Sequence, residues 1–88
     1  MLTRIQTGDY DRWRPLFDQD VPEARAKARG YRVLRSQDDP NEVIVLVEFA
    51  SLEDAAEGRA RLVGSGVLDR FGDVSGPYLL DDTDPAGG

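Results

Sequence analysis

Hydrophobic and polar positions are arranged so that they predict a pair of strands in the middle of the chain. From Tyr31 to Ser36 they alternate loosely, and from Val43 to Val47 they form an unbroken β-branched and aliphatic run. Such a run is typical of a strand that is buried on both faces, so we expect a cover on each side of it. The polar segment 37–42, which contains Pro40, predicts a turn that joins the two runs as an antiparallel hairpin.

Upstream of the hairpin, apolar side chains recur at helical spacing from Asp9 to Arg29. Asp9 or Asp11 is the predicted N-cap, and Gly30 is the predicted stop. Pro22 has no amide hydrogen, so we expect either a kink there or a second helical start capped by Asp20. The aromatic side chains of this apolar stripe are expected to pack on the sheet.

Downstream of the hairpin, Ser51 is the predicted N-cap of a second helix from about Leu52 to Leu62. Val67 to Phe71 predicts one further helical turn. Short apolar runs near the two ends of the chain, Leu2 to Thr7 and Pro77 to Leu80, predict a first and a last strand. The resulting βαββαβ order is that of a ferredoxin-like α+β domain, in which a four-stranded antiparallel sheet carries both helices on one face.

The other face of such a sheet has no helix to cover it. A chain of 88 residues buries only about 60 to 65% of the surface that it exposes when unfolded, so association would add to its stability. We therefore expect a second copy to pack sheet to sheet as a two-fold homodimer.

Composition excludes several classes of function. The chain has no Cys and no His, which removes disulfides, thiolate metal sites, the commonest general base and the commonest haem ligand. The acidic turn residues Asp38, Asp39 and Glu42 are explained by the turn itself, since no calcium-binding spacing is present. We expect neither a metal nor a cofactor.

Charge argues against a nucleic-acid surface. The net charge is −6, and three of the 17 acids (Asp81, Asp82, Asp84) lie in the tail, which leaves about −3 on residues 1–80. No stripe of basic residues is visible. We expect one domain over residues 1–80 and a disordered acidic tail over 81–88.

The remaining features of the composition concern origin and location. Ten of the 11 basic residues are Arg, which together with abundant Ala, Gly, Asp and Val suggests a bacterial genome of high GC content. No apolar run is as long as a membrane span, and the first residues lack the core of a signal peptide, so the expected location is cytoplasmic, without membrane partners.

Short motifs at the predicted caps, turns and strands resemble those of a known group and cover nearly everything before the tail. They are Asp9-Tyr10-Asp11 with Trp13, Phe17-Asp18, Gly30 to Arg35, Asp38 to Val43, Glu48-Phe49 and Ser51-Leu52-Glu53. The group is the dimeric α+β barrel superfamily, which includes antibiotic-biosynthesis monooxygenase-like and polyketide cyclase-like small proteins. In its monooxygenase and haem-degrading branches an Asn and a Trp line the pocket; here Phe49 is at the position that resembles the Trp, and the third strand offers no Asn.

The resemblance implies a small cofactor-independent enzyme, a monooxygenase or a cyclase, that acts on an aromatic or polyketide-type metabolite. Because the haem branch uses a His, haem degradation is not expected. The alternative is a non-catalytic homodimer that binds a small molecule or serves as an accessory protein, which would need only the aromatic core and the dimer.

A pocket for such a ligand is expected between the sheet and the helices, lined by aromatic side chains with an arginine at the rim. The substrate-binding candidates are Trp13, Phe17 and Phe49, and the catalytic candidates are Arg4, Arg35 and Tyr78. Arg4 or Arg35 would stabilise the anion of a phenol or enol, and Tyr78 would donate a proton. The competing interpretation is that the aromatic residues are an ordinary core and the arginines are solvated.

Overall fold

A computed structural model, which describes residues 1–83, has the predicted order of strands and helices. The elements are β1 (Leu2–Gln6), α1 (Tyr10–Gln19), β2 (Ala28–Arg35), β3 (Glu42–Phe49), α2 (Leu52–Gly64), a 3₁₀ helix (Val67–Arg70) and β4 (Val74–Tyr78). The strands form one antiparallel sheet in the order β2-β3-β1-β4. The ferredoxin-like α+β fold is confirmed. Residues 84–88 of the predicted tail lie outside the described residues.

Strand β3 lies inside the sheet, between β1 and β2, and its side chains alternate between the two faces. Val43, Val45 and Val47 are buried under the helices, where they form the core with Ile5 and Trp13. Ile44 and Leu46 project from the opposite face and are only half-buried. The strand is thus apolar on both faces, as its sequence indicates, but within a single chain only one face is covered.

Helix α1 begins where the sequence predicts and ends ten residues early. Asp9 is the N-cap, and its carboxylate accepts hydrogen bonds from the backbone N–H groups of Asp11 and Arg12 at 3.1 and 3.3 Å. The helix ends at Gln19, and Asp20 follows in the left-handed region with φ 44°. The prediction of a helix to Arg29 is therefore wrong.

The early end of α1 has a local cause. The carboxylate of Asp20 accepts hydrogen bonds from the N–H groups of Ala24 and Arg25, both at 3.0 Å, and Pro22 has no N–H to offer to a helix. These bonds hold the chain in successive turns instead of a second helix. Strand β2 then starts at Ala28, so Gly30 lies within the strand and does not stop a helix.

Helix α2 packs closely on the sheet at a glycine. Ser51 caps it as predicted, accepting from the N–H of Asp54 at 3.1 Å, and Gly58 is buried against Phe49 and the carbonyl of Ala24. Leu52, which was expected on its apolar face, is 68% exposed. Strand β4 begins at Val74, three residues before the predicted start. Among residues 1–83, no helix has the length and apolar character that crossing a membrane requires.

The close approach at Gly58 can be tested by adding one methyl group. A Cβ at Gly58 would lie 2.6 Å from the Ala24 carbonyl oxygen and 2.8 Å from the Phe49 ring, so we expect Gly58→Ala to lower the free energy of unfolding by about 1 to 3 kcal/mol. At Gly64 in the same helix a Cβ meets nothing within 4 Å. We expect Gly64→Ala to be neutral or to stabilise by up to about 1 kcal/mol. Urea denaturation measures both; equal effects would contradict the packing described.

Candidate functional site

Four aromatic side chains form a continuous row between α1 and the sheet. The ring centroids are 5.7 Å apart for Tyr10 and Trp13, 5.0 Å for Trp13 and Phe17, and 5.3 Å for Phe17 and Tyr31. These are the distances at which aromatic rings stack or meet edge to face. Trp13 is 5% exposed. Trp13 and Phe17, two of the predicted ligand contacts, therefore lie side by side on the helix-covered face of the sheet.

A small cavity of about 90 Å³ lies beside these rings, bounded by α1, the end of α2, the 3₁₀ helix and β1. Its main apolar walls are Trp13, Phe17, Leu62, Leu68 and Phe71. Pockets for drug-sized ligands measure about 300 to 1,000 Å³, whereas an engineered cavity of about 150 Å³ holds benzene. The cavity of this protein is smaller than either, so it could take at most one aromatic ring or a short aliphatic chain.

The polar groups of this cavity are Asp20, Arg25 and Arg70. The guanidinium of Arg25 contacts two rings, with its carbon 3.8 Å from the centroid of Phe17 and 4.6 Å from that of Tyr31. It also donates to the Phe17 carbonyl and lies 3.8 Å from a carboxylate oxygen of Asp20. Arg25 is therefore a cation in a fixed position at the cavity.

None of these three polar residues was a sequence-based candidate. Arg25 follows the chain reversal at Asp20, so no spacing in the sequence connects it to Phe17. The one sequence feature near them was Asp20 followed by Pro22, which predicts an interruption of the helix.

Arg4 and Tyr78, two of the predicted catalytic residues, project from the face without helices, which we call the open face. Arg4 is opposite Ile44 in the sheet register, and Tyr78 is opposite Leu2. Directly opposed residues of antiparallel strands share a face. Neither residue is at the helix-side cavity, contrary to the predicted pocket.

Carboxylates hold Arg4 on the open face. Its guanidinium donates to Glu42 at 2.7 and 3.1 Å and to Asp73 at 3.0 and 3.2 Å. The hydrogen bond from Arg4 lowers the pKa of Asp73, and hydrogen bonds to Asp73 and Glu42 raise the pKa of Arg4. Arg4 is thus already paired with two anions of its own chain.

Arg35 and Phe49 are on the helix side but away from the small cavity. The guanidinium carbon of Arg35 lies 3.9 Å from the ring centroid of Tyr10, and its Nε donates to the carbonyl of Pro40 at 2.7 Å. Phe49 is half-buried beneath Gly58. The predicted set of six residues is therefore not brought together; only Trp13 and Phe17 share a cavity.

A second, larger cleft of about 780 Å³ opens to solvent at the end of the sheet where β3 leads into α2. One side is formed by Gly30 to Arg32 of β2, and another by Leu79 to Asp82, which follow β4. Next to this cleft the N-terminal ammonium donates a hydrogen bond to the Val47 carbonyl at 2.8 Å. Burial lowers the pKa of this ammonium. The size of the cleft is within the range of small-molecule pockets. Within residues 1–83, no three Asp or Glu side chains are grouped so that they could hold a metal ion.

Comparison with known proteins identifies the fold and nothing finer. No family model and no curated protein sequence matches the chain. The chain is similar in structure to Rv0793 from Mycobacterium tuberculosis, with a TM-score of 0.60 and 19% sequence identity over 93% of this chain and 94% of that one. At that identity the similarity shows the ferredoxin-like fold alone.

Proposed function

We propose that this chain is a member of the dimeric α+β barrel superfamily that acts as a homodimer and binds a small aromatic metabolite. The observation that carries the proposal is the cavity in which Trp13 and Phe17 meet the fixed guanidinium of Arg25. An apolar cavity with a few oriented polar groups is the usual form of a small-molecule site. A ring with an acidic hydroxyl fits this chemistry, because the ring fills the apolar part and the oxygen faces the cation.

The open face of the sheet supports the homodimer. Ile44 and Leu46 at its centre are half-buried, and at its edges Leu34 is 39% and Tyr78 is 52% exposed. Together with Leu2 these side chains form an apolar surface that the helices leave uncovered. A stable dimer needs an interface of about 1,200 to 2,000 Å² in total, which is the area that two stacked sheets would have to bury.

The homodimer predicts a mass of about twice the 9.7 kDa chain in sedimentation at micromolar concentration. Ile44→Glu should give monomers, because it would bury an unpaired carboxylate in the interface. Val63→Glu is the matched control, since Val63 is exposed on α2 and should leave the mass unchanged. Circular dichroism would verify that both variants fold, and Leu34→Glu is a second open-face variant. A monomeric parent protein would contradict the proposal.

Ligand binding can be measured through the only Trp of the chain, because Trp13 is part of the cavity wall. We expect single-ring phenols to change its fluorescence, and Leu68→Phe, which fills the cavity, to weaken binding about tenfold, or roughly 1.4 kcal/mol. Leu80→Phe is the control, since Leu80 lines the open cleft and not the cavity. Phenol binding that is insensitive to Leu68→Phe but lost in Leu80→Phe would move the site to the cleft.

A cofactor-independent monooxygenase or cyclase is the second candidate, favoured by the position of Arg25. A guanidinium at the cavity could stabilise a phenolate or enolate that then reacts with oxygen or with an intramolecular carbon. A non-catalytic binding or accessory dimer needs the same cavity but no reaction.

Turnover of single-ring phenols and short β-keto compounds, which match the size of the cavity, by the metal-free protein separates the two candidates. The enzyme hypothesis expects Arg25→Gln to lower kcat at least about tenfold by removing the stabilising charge, with Arg25→Lys retaining part of the activity. Arg4→Ala and Tyr78→Phe alter the open face and should have little effect. If those two variants abolish turnover and Arg25→Gln does not, the reaction takes place at the open face. Binding without turnover would support the accessory protein.

A further inference from the structure

The small helix-side cavity has an excess of positive charge, although the protein as a whole has a net charge of −6. Its charged residues are one acid, Asp20, and two bases, Arg25 and Arg70. Asp20 and Arg25 compensate each other, because their side chains approach to 3.8 Å. The Asp20 carboxylate also accepts hydrogen bonds from the backbone N–H groups of Ala24 and Arg25. The charge that is left over at the cavity is therefore that of Arg70.

Arg70 has no anionic partner in its own chain. It forms no ion pair with any carboxylate of residues 1–83. The nearest acids in the sequence are directed elsewhere. The Asp69 carboxylate lies toward Gly66, where an added Cβ would be 3.6 Å from it, and Asp73 is bonded to Arg4 on the open face. Because Arg70 is also exposed, its guanidinium is accessible to an external anion.

The 3₁₀ helix places Arg70 at the mouth of the cavity. Side chains three residues apart lie on one side of such a helix, so Arg70 is aligned with Val67, and Phe71 with Leu68. All four side chains line the cavity. The three apolar ones are half-buried, whereas Arg70 is exposed. The Arg70 guanidinium thus lies where the apolar wall meets the solvent.

The two arginines of the cavity differ in the ligand groups that they suit. The side chain of Arg25 is only 12% exposed, so a carboxylate brought to it would lose its hydration and would also face Asp20. Both effects are unfavourable for an ionised group. At Arg70 a carboxylate stays partly hydrated and meets a planar guanidinium that can bond to both of its oxygens. A neutral hydroxyl therefore suits the inner arginine, and a carboxylate suits the outer one.

We infer that the cavity selects a hydroxylated aromatic carboxylic acid with a single ring, and that Arg70 determines this specificity. The inference rests on the proposed binding of a small aromatic metabolite at this site. At neutral pH a carboxylic acid is ionised and a phenolic hydroxyl is not, as in the side chains of Glu and Tyr. Such a ligand carries one negative charge, which compensates that of Arg70. The cavity of about 90 Å³ then holds only the ring, because the carboxylate remains at the mouth.

Two ligands of the same shape isolate the contribution of the carboxylate. Para-hydroxybenzoate and para-hydroxybenzamide differ in charge and hardly in size. The fluorescence of Trp13 gives the Kd of each, with free tryptophan titrated in parallel to correct for absorption by the ligand. At low salt we expect the parent protein to bind the acid about fivefold more tightly than the amide. The preference should shrink at high salt, because exposed charges are then screened.

Variants of Arg70 test whether this residue causes the preference. Arg70→Gln should reduce it to less than about twofold by weakening the binding of the acid, with the Kd of the amide unchanged. Arg70→Lys should keep part of it, because an ammonium retains the charge and loses the planar fork. The matched control is Arg59→Gln, which makes the same change of charge on the exposed surface of α2, away from the cavity. It should leave the fivefold preference intact.

Three results would overturn the inference: equal binding of the acid and the amide by the parent protein, a preference that survives Arg70→Gln, or the same loss in Arg59→Gln. Each of them leaves the proposed function standing if phenol still binds and Leu68→Phe still weakens it. A parent protein that binds neither phenol nor the two benzoic acid derivatives overturns both. Circular dichroism of each variant verifies that a lost preference does not come from unfolding.

Discussion

The alternation of side chains along β3 is the constraint on which the rest of the structure depends. Val43, Val45 and Val47 must face the helices to form a core, and Val43 is fully buried. With a side-chain period of two, Ile44 and Leu46 must then face the other way. The pairing of β1 with β3 extends this alternation to the next strand. Ile5 and Thr3 are opposite Val43 and Val45 and face the helices, whereas Arg4 is opposite Ile44 and lies on the open face. One strand thus decides which residues can share a site.

The strands and α2 could be predicted because their signals are local. An unbroken apolar run, a Ser followed by acids and a polar turn with Pro40 each act within a few residues. The prediction of one helix from Asp9 to Arg29 was wrong for a different reason. Its apolar spacing continues past Gln19, but the Asp20 carboxylate binds the N–H groups of Ala24 and Arg25, and such a competition cannot be evaluated from periodicity.

The candidate site, like the fold, could be predicted from the sequence only in part. Trp13 and Phe17 could be predicted as neighbours because they are four residues apart on one helix. Arg4 could have been assigned to the other face from parity alone, since it precedes the apolar Ile5. Tyr78 could not, because a register shift between β1 and β4 places it on the face opposite to Val74, four residues earlier in the same strand. No pattern in the sequence indicates Arg25, because it reaches Phe17 only after the chain reverses at Asp20. Residue types suited to a site could be recognised in the sequence, but not which of them lie close together in the fold.

The walls of the cavity differ in how firmly they are held, which limits what the cavity can accept. On one side Trp13 is buried, stacked on Phe17 and tilted against Tyr10, so moving it would disturb the whole aromatic row. On the other side the wall is a 3₁₀ helix of four residues that begins after Gly66, at φ 74°, and Leu68 and Phe71 are only half-buried. Short 3₁₀ helices have weaker hydrogen-bond geometry than α-helices. If the proposed ligand is larger than one ring, the 3₁₀ helix is therefore the wall that would have to move, because Trp13 is held by its burial and its neighbours.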